Sequence, residues 1–313
     1  MTLALATDEL TKDYAIGFWR KRPYRALDRL TIGVQAGEVF GFLGPNGAGK
    51  TTTLKLLMQL VYPTAGRAEI LGRPVGDLDV KRRIGYLPEN PYFYDHLTAE
   101  ELLTYFAGLF GYKARRARAS RLLDQVGIGA ERRLQLRKFS KGMLQRVGIA
   151  QALINDPELV ILDEPMSGLD PLGRRDVRTL ILELRDRGCT VFFSSHVLSD
   201  AEALCDRVAI LAKGRLVAEG RLTEMLAFRA RGWELIVAGA SDAAIERARP
   251  GARRIVRIGE GRYSLELALE PPPEALLGQL TATGARLVSL NPLRETLEDF
   301  FVEHVSAQPP RTM

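Results

Sequence analysis

Glu38 to Thr53 reads EVFGFLGPNGAGKTTT, and how this stretch is read decides the fold. Val39 to Leu43 is an apolar run of strand length. It breaks into a Gly-rich turn, and an apolar-periodic helix is expected from Lys50 to about Val61. Gly44, Pro45, Asn46, Gly47, Ala48, Gly49, Lys50 and Thr51 complete the pattern GxxxxGK[ST], with Thr52 following. Such glycines let successive N–H groups turn inward on an anion, and the helix N-terminus adds partial positive charge. On this reading Lys50 reaches the β- and γ-phosphates of a nucleotide, and the Thr51 hydroxyl ligates Mg²⁺. The plainer alternative is a Gly-rich turn capping an ordinary helix.

Upstream, residues 3–10 and 26–34 alternate as strands do and predict an antiparallel pair. Between them GFWRKRPYR, Gly17 to Arg25, interleaves Arg20, Lys21, Arg22 and Arg25 with Phe18, Trp19 and Tyr24. It reads as a solvated loop tip or as a lipid-headgroup contact. Downstream, RAEILG and RIGYL (Arg83 to Leu87) predict strands. Residues 88–156 then change character: Leu97 to Leu109, Arg115 to Val126 and Lys141 to Ile154 carry helical periodicity, which predicts an inserted helical subdomain. Strand signals resume with LVILDEP, Leu159 to Pro165, then a helix near Leu172 to Arg187, TVFFSS, RVAIL and RLVAEG. Near-continuous apolar strands alternating with helices predict a mainly parallel sheet covered on both faces, an α/β core over residues 1–228.

From 229 to 306 the order βαββαβα, ending in a helix from Leu293 to Val305, predicts a second, small α+β domain of the split-βαβ, ferredoxin-like kind. Residues 307–313 read as a tail. The second domain holds no clustered His or Cys and no phosphate turn, so a regulatory or dimer-supporting role is expected for it.

In 313 residues, 46% hydrophobic and 26% charged content fit two ordinary globular cores. No apolar run approaches 18 residues and the N-terminus lacks an export pattern, so neither a membrane span nor a signal is expected. Two cysteines, Cys189 and Cys205, favour reduced thiols in a cytosol over a disulfide framework. The net charge of +6 is spread along the chain and is a weak pointer to anionic partners.

LVILDE supplies the second half of a nucleotide site. Asp163, at the strand end, would hold Mg²⁺ through water, and Glu164 is placed to polarise the water that attacks the γ-phosphate. Two further segments name a family. Phe139 to Arg146, FSKGMLQR, resembles the LSGGQxQR signature of ATP-binding cassette (ABC) ATPases, and Ser167-Gly168-Leu169-Asp170 resembles their D-loop. The resemblance covers roughly residues 5 to 225 and implies the ATP-binding, ATP-hydrolysing subunit of an ABC transporter, with a P-loop core.

In that family Ser140 and Gly142, where a helix begins, form a second anion cradle that closes on the ATP of another copy. The resemblance therefore implies a head-to-tail homodimer across two ATP molecules. Asp170 falls in the D-loop. His196, in SSH, matches the switch histidine that contacts the γ-phosphate alongside Glu164. Tyr14 resembles the aromatic that stacks on adenine, with Trp19 and Tyr24 as rivals.

The sequence also departs from the family. Glu89, in IGYLPEN, stands where Gln is usual in the lid loop. It can still approach Mg²⁺ or water, but adds negative charge beside phosphates. Lys141 and Met143 replace Gly and Gln of the signature; Lys141 either adds charge near the phosphate bound by the other copy or faces solvent. These variations resemble exporter-type ATPases of the drug, antibiotic or lipid-handling sort. Tyr92, Phe93 and Tyr94 either pack on the inserted helices or line a groove for a permease helix.

With no span of its own, the chain implies separate integral membrane permease subunits and a place on the cytoplasmic face of the membrane. The rival reading is a soluble ABC ATPase acting on ribosomes or nucleic acid. A single cassette and a short insert without heptads speak against it, and no nucleic-acid partner is expected.

Overall fold

The computed structural model describes residues 2–17, 22–225, 230–294 and 296–299. It divides into two compact units, Met1–Leu222 and Thr223–Glu303. Phe18, Trp19, Arg20 and Lys21 of the basic loop lie outside the described residues, as does the tail.

The first unit is built on a six-stranded sheet. Its order is Arg215–Arg221, Arg207–Ala212, Val39–Leu43, Thr190–Ser195, Leu159–Asp163 and Ile84–Leu87. All neighbours pair in parallel except the antiparallel edge strand Arg215–Arg221. Every residue of the three central strands is buried, as runs covered on both faces require. Phe192 stacks on Phe40, ring centroids 5.7 Å apart, and tilts against Phe42 at 5.4 Å. The expected α/β core is therefore present. The loop helix is shorter than its periodicity suggests, Lys50–Leu57, with Met58 as its C-cap.

A four-stranded antiparallel sheet packs into the same core. The expected hairpin is longer than its alternation shows, Leu3–Ile16 against Arg22–Gln35, and is followed in the sheet by Ala65–Ile70 and Arg73–Pro74. Leu10, Leu27, Leu30 and Val34 close over Leu54 and Leu57 of the loop helix.

The inserted helices are Ala99–Leu109, Arg115–Gln125 and Lys141–Ala152. The first starts at a capping box in which Thr98 and Glu101 satisfy each other's backbone N–H groups. Of the three aromatics after the lid, Phe93 is 8% exposed while Tyr92 and Tyr94 are 92% and 60% exposed. One ring packs inward and two face outward.

The second unit is a four-stranded antiparallel sheet in the order Arg254–Gly259, Arg262–Leu267, Ala230–Ala238, Arg286–Arg294. Helices Asp242–Ala248 and Pro273–Ala282 supply Ala244, Ile245 and Leu280 to a core with Leu235, Val237, Leu265 and Leu267. The strand order is the ferredoxin-like one. The start of the last helix is corrected: Leu293 and Arg294 continue the final strand, because they pair with Gly232 and Ala230.

Candidate functional site

The carboxyl ends of the three central strands bring the chemistry together. Register sets Leu43 beside Ser195 and Asp163 beside Ser194, so the phosphate loop, the two carboxylates and His196 leave the sheet at one edge. The loop is tied down from both sides. Gly44 N–H donates to the Ser195 carbonyl at 3.2 Å, and Gly214 N–H to the Ala48 carbonyl at 2.8 Å. Gly44 sits at φ +156°, and a Cβ there would lie 2.2 Å from the Leu211 carbonyl oxygen, so only glycine fits. Gly49, at φ +111°, begins the helix with no side-chain cap, leaving the first N–H groups free for an anion. Pro45, Asn46 and Gly47 are exposed at the tip, and Ala48 is buried beneath it.

Lys50 is 6% exposed. Its Nζ donates to the Gly44 carbonyl at 2.7 Å and lies 3.3 Å from Glu164 Oε1. The other Glu164 oxygen meets His196 Nδ1 at 2.9 Å. The carboxylate thus bridges a lysine and a histidine. Its backbone is unusual too: Glu164 has φ +51°, uncommon for a residue with a side chain. Three hydrogen bonds hold it there. Its N–H donates to Ser194 Oγ at 3.0 Å, and its carbonyl accepts from Gln145 Nε2 at 3.2 Å and from Ser167 N–H at 3.0 Å. Ser194 is not marked by the sequence, and Gln145 is marked only as part of the signature segment, not as a partner of Glu164. The sole signal for Ser194 is a polar residue at the end of an otherwise apolar strand.

Asp163 is 1% exposed. Its Oδ1 accepts from the Ser194 hydroxyl at 2.6 Å, and its Oδ2 is buried with no hydrogen-bond partner. Burial pushes its carboxyl above the ordinary range, Glu89 and Glu164 add to that, and the Ser194 and Thr51 hydroxyls oppose it. Glu89 and Thr51 therefore belong to the same cluster, Glu89 from an exposed position in the lid loop.

The other candidates form a second group. Ser140 is the N-cap of Lys141–Ala152, its Oγ accepting from Met143 N–H at 3.2 Å. A Cβ on Gly142 would lie 3.3 Å from Leu169 Cδ2 and 3.4 Å from the Gly168 carbonyl oxygen, so the signature packs on the SGLD turn. Lys141 lays its stem against Gly168 and is exposed. Asp170 caps the helix Pro171–Asp186 by accepting from Gly173 N–H at 3.0 Å. Gln145 joins this group to the first through the Glu164 carbonyl.

Tyr14 and Tyr24 are direct cross-strand partners in the first hairpin, so they share a face; Lys12 Nζ lies 5.1 Å from the Tyr14 ring centroid. Trp19 lies outside the described residues.

Comparison with known proteins adds four findings. A sequence-family model described as ABC transporter matches residues 27–167. An uncharacterised ABC transporter ATP-binding protein of Synechocystis sp. is 47% identical over 303 residues, spanning 96% of this chain and 84% of the relative. A bacitracin transport ATP-binding protein of Bacillus licheniformis is 43% identical over 222 residues, 70% of each chain. Among solved structures, a dimeric ATP-binding cassette in a post-hydrolysis state with ADP and Pi superposes with a TM-score of 0.64 and 27% identity, covering 70% of this chain and 98% of that one.

Two outcomes follow from the site. Lys50→Ala is expected to weaken ATP binding at least tenfold, about 1.4 kcal/mol, in a fluorescent-nucleotide titration; unchanged affinity would contradict the loop assignment. For Asp163 the folded-state value lies above the unfolded one, so ionisation disfavours the fold increasingly as pH rises past the ordinary carboxylate range. Asp163→Asn removes that cost and should raise the thermal midpoint of the nucleotide-free chain at pH 7 by about 2–4 °C while hydrolysis is lost. A lowered midpoint would refute this.

Proposed function

This chain belongs to the ABC transporter family as an ATP-binding, ATP-hydrolysing subunit, and from that premise we propose that two copies close head-to-tail over two ATP molecules to drive a separate membrane permease. The observation that carries the proposal is the sharing of the Glu164 carboxylate between Lys50 and His196 at the mouth of the loop.

Without nucleotide, a Glu164 oxygen gives Lys50 the anionic partner that a phosphate would supply. When ATP enters the loop, Lys50 turns to the β- and γ-phosphates, and the freed carboxylate accepts a proton from the attacking water. His196 keeps the second oxygen oriented and contacts the γ-phosphate. Asp163 and Thr51 suit Mg²⁺, since a buried carboxylate oxygen without a partner beside a hydroxyl is the hard oxygen set that ion takes. Bound there, the ion would neutralise charge on the β- and γ-phosphates. Glu89 fits the same site from the lid. The remaining loop residues, Gly44 to Thr52, cradle the phosphates, and Tyr14 or Tyr24 stacks on adenine.

Ser140, Lys141 and Gly142, seated on the SGLD turn with Asp170, form the surface offered to the ATP of the other copy. The dimeric cassette among the structural relatives supports this arrangement. No helix among the described residues is long and apolar enough to cross a membrane, which supports permease subunits on other chains and a station at the cytoplasmic membrane face. Exposed Tyr92 and Tyr94 suit a permease contact. The relative named for bacitracin transport supports the antibiotic-handling reading of the signature and lid variations.

Glu164→Gln keeps the shape of the side chain but cannot take the proton. It should abolish turnover and hold an ATP-dependent dimer on size-exclusion chromatography; normal hydrolysis would remove Glu164 from its role. The second unit is proposed to support the dimer. Ending the chain after residue 230 should lower dimer affinity or ATPase rate, and an effect on neither would end that idea.

A further inference from the structure

We infer that Ser194 is a positioning residue for hydrolysis: one buried hydroxyl fixes both strand-end carboxylates, acting directly on Asp163 and through the backbone on Glu164. The inference rests on the reading of Glu164 as the proton acceptor. Ser194 is 0% exposed. Its Oγ donates to Asp163 Oδ1 at 2.6 Å and accepts the Glu164 N–H at 3.0 Å. The hydroxyl has one proton to give, so the directions of both bonds are set.

Each bond does something the reaction needs. The bond to Glu164 N–H helps hold φ at +51°, and that backbone angle points the carboxylate between Lys50 and His196. The bond to Asp163 engages Oδ1 and leaves Oδ2 as the oxygen without a partner. Parallel pairing places Asp163 directly beside Ser194, so the contact is built into the sheet and does not depend on a loop. Gln145 and Ser167 hold the Glu164 carbonyl but touch neither its N–H nor Asp163. An alanine at 194 would leave the Glu164 N–H and Asp163 Oδ1 without these partners inside the protein, where such groups otherwise find one.

A role confined to packing would move stability and nucleotide affinity together; a positioning role lowers kcat while ADP affinity holds, whatever the unpaired Glu164 N–H costs in stability. The full-length chain with Mg²⁺ and ATP serves as the test. Ser194→Ala is expected to lower kcat about tenfold, with the KM for ATP and the affinity for ADP within twofold of the parent. Ser194→Cys, similar in size with a weaker donor, is expected to fall between. An unchanged kcat in Ser194→Ala would overturn the inference. So would a joint loss of ADP affinity and melting temperature, a chain that fails to fold, or a Ser194→Cys rate no higher than that of alanine. Glu164→Gln tests the underlying reading separately: its normal turnover would remove the proton acceptor, whereas a silent Ser194→Ala would leave that role intact.

Discussion

Everything at the site depends on the register of three parallel strands. Leu43 pairs with Ser195 and Asp163 with Ser194, and only in that register do Lys50, Asp163, Glu164 and His196 leave the sheet at one edge. A slip of one residue would turn each strand's side chains to the opposite face. The register is held by burial: the three strands are enclosed along their whole length, with Phe40, Phe42 and Phe192 packed between the phosphate-loop strand and its neighbour. Core packing thus fixes distances among charged groups that have little freedom of their own.

Those charges strain the fold. Lys50, Asp163 and Glu164 are nearly enclosed, and removing a buried ion from water is costly unless partners compensate. Lys50 and Glu164 compensate each other, whereas Asp163 keeps one oxygen without a partner. Glu164 also sits in a backbone region that side chains avoid. Unsatisfied charge and backbone strain coincide at the strand ends, where the proposed polyanionic ligand and cation would relieve both. On the proposed reading the nucleotide binds where the fold alone is least comfortable.

Much of this could be read from the chain. The loop, the apolar strand ending in Asp163 and Glu164, the signature segment and the βαββαβ order are local patterns, each written in neighbouring residues. What escaped depends on pairing between distant segments. Ser194 and Gln145 reach Glu164 across 30 and 19 positions, and nothing beside them in sequence marks the contact. Leu293 and Arg294 were expected in a helix, but the strand Ala230–Ala238 offers them partners and the sheet extends. Similarly, Tyr92, Phe93 and Tyr94 read alike in sequence, yet only Phe93 is buried.

One half of the proposed nucleotide sandwich is the loop tip at Asn46; the other is the Ser140 cap, which in the single chain engages its own helix through Met143 N–H. Both positions are exposed, while Cys189 and Cys205 are buried. Thiol cross-linking of a chain carrying Asn46→Cys and Ser140→Cys is therefore the most direct measurement. The account predicts a cross-linked dimer that forms with ATP and not without it. Cross-linking that ignores nucleotide, or none with ATP bound, would contradict it.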